Sequence, residues 1–190
     1  EHEIATLPSA STVAWLRKVV ATRPPATRGI AAIADPVFSA NDERVKNAAP
    51  RPEPAPVTIA KLLKPPDIER ALRDLDGVAG DGELVRLPAS RGEAQAIAGL
   101  APEISRVVVD FDANLQMVMN GELSDYRYLH FGTHAYVNHV FPGLSGLALS
   151  QVDSKGQEQP GYLRLNDIYQ LRLNADLVTL GACRTGLGKQ

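Results

Sequence analysis

Four runs of apolar, partly β-branched residues set the frame of this chain: Gly29–Ala34, Arg106–Phe111, Tyr126–His134 and Asp176–Ala182. Each has the length of a strand, and what separates them reads as helix rather than as tight turns. Val13–Val20 carries apolar residues at 13, 16, 19 and 20 and is stopped by Arg23-Pro24-Pro25. Asp67–Leu75 follows Pro65-Pro66 and opens on a capping residue. Ser90-Arg-Gly-Glu93 spells a capping box ahead of Ala94–Leu100. Ala113–Leu123 and Asn166–Leu173 complete the predicted helices. Strands interleaved with helices make an α/β domain whose parallel sheet is covered on both faces. The exception is Leu144–Gly161, where Leu147–Val152 and Gly161–Leu163 flank a polar Asp153-Ser-Lys-Gly156 turn, predicted to be a small side hairpin.

Ten of the fourteen prolines precede residue 67, and four alternate in Pro50-Arg-Pro-Glu-Pro-Ala-Pro56. Proline has no N–H to give and disfavours helix in the residue before it. Residues 44–66 are therefore expected to form an extended surface insertion within the domain. At 190 residues and 44% apolar composition the chain suits one globular domain. A net charge of −2 offers no general attraction to nucleic acid or an anionic membrane. No apolar run is long enough to span a bilayer, and Glu1–Ala10 lacks the basic start and apolar stretch of a signal peptide. The single cysteine, Cys183, rules out an internal disulfide and a cysteine-rich zinc site. A cytoplasmic, reducing compartment is expected.

Two residue types capable of chemistry fall at strand ends. Alternation along Tyr126–His134 puts Tyr126, Tyr128, His130 and His134 on one face. At about 3.3 Å per residue, His130 and His134 would be roughly 13 Å apart, too far to share a zinc ion. No metal or cofactor is expected. His130, mid-strand, reads as a satisfied core residue. His134 lies where its strand runs out, and Cys183 ends its own strand in the same way. In open parallel sheets, ligands and chemistry gather beyond the carboxyl ends of strands. If these two strands are neighbours, thiol and imidazole emerge side by side.

His134 precedes Cys183 by 49 residues, near the roughly 50 that separate the caspase pair. Gly181-Ala-Cys-Arg-Thr-Gly186 keeps Ala-Cys-Arg of the caspase signature. A closer resemblance is to the CHAT domain, the caspase-like module commonly found with tetratricopeptide repeats in bacterial proteins. Its motifs occur in order as Tyr128-Leu-His-Phe-Gly-Thr-His134, Pro142-Gly-Leu-Ser-Gly-Leu-Ala-Leu-Ser150, Leu163-Arg-Leu-Asn-Asp-Ile-Tyr-Gln-Leu-Arg-Leu173 and Ala175-Asp-Leu-Val-Thr-Leu-Gly-Ala-Cys-Arg-Thr-Gly-Leu-Gly188. Weaker echoes are Leu7-Pro-Ser-Ala10, Ala34-Asp-Pro-Val-Phe38 and Arg91-Gly-Glu-Ala-Gln-Ala-Ile-Ala98.

The resemblance covers essentially the whole chain and implies a caspase-like three-layer α/β/α sandwich with a mostly parallel central sheet. It implies a cysteine endopeptidase in which Cys183 is the nucleophile and His134 its acid and base, acting on a protein or peptide substrate. Backbone N–H groups of Ala135 and Cys183 would form the oxyanion hole. Such enzymes need no third catalytic residue. Asp35, at the end of the first strand, is placed by the resemblance near the specificity pocket, where a carboxylate would favour a basic substrate side chain; equally, an Asp before Pro caps a turn. The family usually has Gly after the catalytic His, where this chain has Ala135, and more often Ser where it has Gly181. Further strands follow the nucleophile in the family, so the domain is expected to be incomplete at its C-terminus, with the cysteine strand needing cover. Associated tetratricopeptide repeats or a regulatory protein are the implied partners. The alternative is a catalytically degenerate CHAT module that binds other proteins.

Overall fold

Arg28–Pro36 forms β1, buried from Gly29 onward, because Ile30, Ala32 and Ala34 point into one apolar layer and Ala31 and Ile33 into another. A strand apolar on both faces belongs in the middle of a covered parallel sheet, and β1 takes that place. In the computed structural model, which describes residues 9–45, 84–137 and 142–181, β1 pairs in parallel with Arg106–Asp110 (β2) on one side and Tyr126–Gly132 (β3) on the other. Leu177–Leu180 (β7) adds in parallel to β3, giving the order β2-β1-β3-β7. The sheet carries a core on each face, as an α/β caspase-like fold requires. Asp67–Leu75, residues 46–66 of the proline-rich insertion and Cys183 lie outside the described residues.

Above one face lies Pro88–Ala98 (α2), which presses Ala94 and Ile97 onto Ile30, Ala32 and Ala34. This helix starts before the predicted capping box. Pro88 takes its first position, for which a fixed φ suits it. That leaves Ser90 inside the first turn, buried, donating to the Leu87 carbonyl at 2.7 Å and accepting from the Asp35 N–H at 3.0 Å. The opposite face is filled by Leu129 and Phe131 of β3, Val108 of β2, and Met117 and Val118 of Leu115–Met119 (α3). Asn114 caps α3 by accepting from Met117 N–H, and Gly121 at φ 89° ends the segment in a left-handed turn. The predicted helix over 113–123 is thus one short helix and a 3₁₀ turn, Glu122–Asp125. Tyr126, expected on the His130 face, packs instead in the Leu129 cluster, with its hydroxyl accepting from Arg28 at 2.9 Å.

The side hairpin is present and slightly larger than expected. Ala135–Tyr136 (β4), Gly146–Ala148 (β5) and Tyr162–Arg164 (β6) form a three-stranded antiparallel sheet. Gly156, at φ 72°, makes its far turn, and the Asp153 carboxylate accepts from Lys155 and Gln157 N–H. At Gly146 a Cβ would lie 2.2 Å from the Leu163 carbonyl oxygen across the ladder. Gly146→Ala is therefore expected to cost about 1–3 kcal/mol through overpacking against backbone that cannot turn aside. Thermal unfolding checks this, and an unchanged melting temperature would refute the packing argument. After β6, Leu165–Ile168 (α4) makes one turn where a helix to residue 173 was expected.

Ala10–Thr22 (α1), capped by Ser9, has no buried residue; Trp15, Leu16, Val19 and Val20 are all exposed. Its C-terminal neighbour Arg23 reaches the Ala175 carbonyl and the Asp176 carboxylate, which also binds Arg127. Among the described residues β7 has one neighbour, β3, and its Leu177, Val178 and Leu180 are exposed. No described helix is long and apolar enough to cross a membrane.

Candidate active site

The carboxyl ends of β1, β2 and β3 converge on one edge of the sheet, and each delivers a polar side chain. β3 ends at Gly132; Thr133 is fully buried and donates to the Ala148 carbonyl at 2.6 Å, fastening the exit of the strand to the side hairpin. His134 follows, half-buried, its ring tilted against Phe38 with centroids 5.5 Å apart. Its Nε2 lies 2.6 Å from the carbonyl oxygen of Val85. A carbonyl can only accept, so Nε2 carries a proton, and in the neutral ring that leaves the lone pair on Nδ1. The tautomer is fixed by backbone, a partner no sequence motif reports.

His130 belongs to the α2 side of the sheet. Its Nδ1 is 2.9 Å from Thr179 Oγ1 on β7, and its Nε2 is buried without a hydrogen-bond partner, 3.8 Å from Glu93. The expectation of a satisfied core residue therefore holds for one ring nitrogen. Gly181 makes room for this ring, since a Cβ there would stand 3.1 Å from His130 Cε1. Among the described residues, no three His, Cys, Asp or Glu side chains gather as a metal site.

Asp35 is fully buried, and both carboxylate oxygens are engaged. Arg86 grips it with two parallel bonds, Nε to Oδ1 at 2.9 Å and Nη2 to Oδ2 at 3.0 Å. Arg91 adds Nε to Oδ2 at 2.9 Å, and Arg44 lies 3.1 Å from Oδ1. Burial pushes this carboxyl's pKa up, but the bonds from Arg86 and Arg91 and the charge of Arg44 outweigh it and hold the group below the usual aspartate range. The same arginines reach further: Arg44 and Arg91 both bind Asp110, and Arg44 also binds Asp42. Asp35 and Asp110 have φ of 46° and 55°, left-handed values that aspartate tolerates better than most residues. Two adjacent parallel strands thus carry the same uncommon left-handed φ near their carboxyl ends, tied together by shared guanidinium groups. Sequence reasoning singled out Asp35 but none of its partners, which lie 9 to 56 residues away along the chain.

A family model for the CHAT domain matches residues 1–190, the entire chain. The chain belongs to the CHAT domain family. No curated protein and no solved structure matches it. CHAT domains are a caspase-like, peptidase-related family, associated in general with tetratricopeptide repeats. Set against that family, Ala135 of this CHAT domain lies in β4 and has no left-handed backbone, so its Cβ carries no conformational cost.

Proposed function

We propose that this CHAT domain is a cysteine endopeptidase that cleaves protein substrates through a Cys183–His134 dyad. The observation that carries this reading is the register of β3 against β7. Tyr128 pairs with Leu177, Leu129 with Val178, His130 with Thr179 and Phe131 with Leu180, a constant offset of 49 residues. Gly181 N–H, donating to the Phe131 carbonyl at 2.8 Å, extends the contact by one residue. His134 and Cys183 are separated by the same 49 residues. Their strands are parallel neighbours, so both chain directions lead out at one edge of the sheet.

In this reading Nδ1 of His134 takes the proton from the Cys183 thiol, and the thiolate attacks the substrate's carbonyl carbon. The resulting imidazolium then protonates the departing amine as the tetrahedral intermediate collapses to a thioester. Water attacks the thioester with the same imidazole as base, and Cys183 regains its proton. For the oxyanion, the β4–β5 ladder is informative. Ala148 N–H donates to the His134 carbonyl, and Ala135 faces Leu147. In an antiparallel ladder that makes residue 135 part of a non-hydrogen-bonded pair, its N–H directed away from β5. The ladder therefore does not consume the donor that the mechanism assigns to Ala135, which would act with the N–H of Cys183. A free thiol suits a reducing, cytoplasmic compartment, and repeats or a regulatory protein would supply the activating contact.

The test is labelling of the full-length chain with a peptide-based thiol electrophile, followed by mapping of the modified residue. Stoichiometric modification of Cys183 in the folded protein, much faster than in the denatured one, is expected. Equal or slower labelling in the folded state would make this a CHAT module that binds proteins without cutting them.

A further inference from the structure

We infer that the Asp35–Arg86 ion pair is the positioning device of His134, acting through the backbone carbonyl of Val85. This rests on the proposed role of His134 and deepens it. The carbonyl that fixes the imidazole's tautomer belongs to the residue directly before Arg86. Among the described residues Val85 belongs to no helix or strand: it lies between Leu84, a bridge residue whose side chain is buried, and the start of α2 at Pro88, with its own side chain exposed. On the other side of Val85 the segment is anchored by the side chain next in line. Arg86 meets Asp35 in the two-point geometry that leaves a guanidinium least freedom. Asp35, for its part, cannot move. It is fully buried at the end of the central strand, its N–H bonded to Ser90 and its carboxylate held by Arg44 and Arg91 as well.

The chain of contacts therefore runs from the core to the imidazole: β1, Asp35, Arg86, the Val85 carbonyl, His134 Nε2–H. It assigns Asp35 a use other than pocket charge. With both oxygens already shared among three guanidinium groups, the carboxylate is spent within the protein, and its negative charge is not presented to a substrate. Asp35 and Arg86 are positioning residues in this scheme, since neither is required to touch the reacting atoms.

The test uses Arg86→Ala, in which Asp35 keeps Arg44 and Arg91, and Arg91→Ala as a control that removes one Asp35 contact but leaves the two-point bond to Arg86. The first measurement is the ¹⁵N spectrum of the His134 ring, taken roughly two units above the ordinary imidazole pKa of about 6.5. The unaltered protein and Arg91→Ala are expected to show the single Nε2–H tautomer, and Arg86→Ala a mixture of the two. The second is the rate of Cys183 labelling, expected to fall about 10–100-fold in Arg86→Ala, the scale of a small misplacement in a reacting pair. A single tautomer and undiminished labelling in Arg86→Ala would overturn the inference while leaving the peptidase reading intact. A tautomer mixture in a protein whose Cys183 is never activated would uphold the clamp and remove the peptidase. If Arg86→Ala melts below the working temperature, Arg86→Lys, which keeps the charge but gives up the two-point contact, is measured against the same criteria.

Discussion

His134→Ala is expected to slow acylation of Cys183 by about 10²–10⁴-fold, the usual worth of a positioned general base. The variant removes the nitrogen proposed to accept the thiol proton, while the fold loses little. Thr133, still bonded to the Ala148 carbonyl, keeps the strand exit fastened. The Val85 carbonyl loses its donor, a loss of about 1 kcal/mol or less where water can replace it, or roughly 2–4 °C of melting temperature in a domain of this size. Labelling kinetics on the folded variant, beside its melting curve, separate the two effects. Undiminished labelling in a fully folded His134→Ala protein would remove His134 from the mechanism.

Asp35→Ala is expected to be the most destabilising single change at this edge of the sheet. Removing one partner from a buried charge cluster costs about 3–5 kcal/mol, because the remaining charges lose their counterion. Arg44, Arg86 and Arg91 retain other carboxylates in Asp42, Glu43 and Asp110, which places the loss near 3 kcal/mol, or about 6–12 °C. Alanine also bears the left-handed φ of 46° less well than aspartate. Asp35→Gly should thus melt above Asp35→Ala by the equivalent of about 1 kcal/mol. The pH dependence follows from the same group. The folded-state pKa of Asp35 is depressed, so the unfolded chain takes up the proton first as pH falls. The stability it contributes is present above the unfolded value near 3.9 and is lost below it. Asp42, likewise depressed through Arg44 despite its burial, adds to the same limb. Melting temperatures across pH 3–6 should therefore fall less steeply in Asp35→Gly than in the unaltered protein. Parallel curves would show that the cluster contributes nothing.

The strands were legible because each is a β-branched or apolar run bounded by turn residues, and their parallel arrangement because helix-length segments separate them. Helix ends were read less well. Ser90 and Glu93 spell a capping box, yet Pro88, two residues earlier, is better suited to start the helix and does so. Asn166 has the chemistry of a cap, but the turn it lies in begins at Leu165 and ends by Ile168. His134 could be found because a strand end is a position that sequence periodicity locates. The Val85 carbonyl could not, since backbone acceptors leave no trace in residue identity. The arginines were illegible for another reason: Arg44, Arg86 and Arg91 look like ordinary solvated charges until the fold gathers them around a carboxylate that is itself out of reach of water.

The constant offset between β3 and β7 changes what the interval between His134 and Cys183 means. Lengthening the turn at Asp153–Gly156 would alter the linear count and leave the pairing of the two strands untouched, because that turn lies at the far end of the side hairpin. Slipping β7 by one residue would preserve the count and break the register, moving each β7 residue about 3.3 Å along β3 and turning its side chain to the opposite face of the sheet. Across related chains, insertions between the two residues should accumulate in the hairpin and be absent from the ladder. Proteins that share this edge of the sheet are therefore better sought by strand pairing than by counting residues.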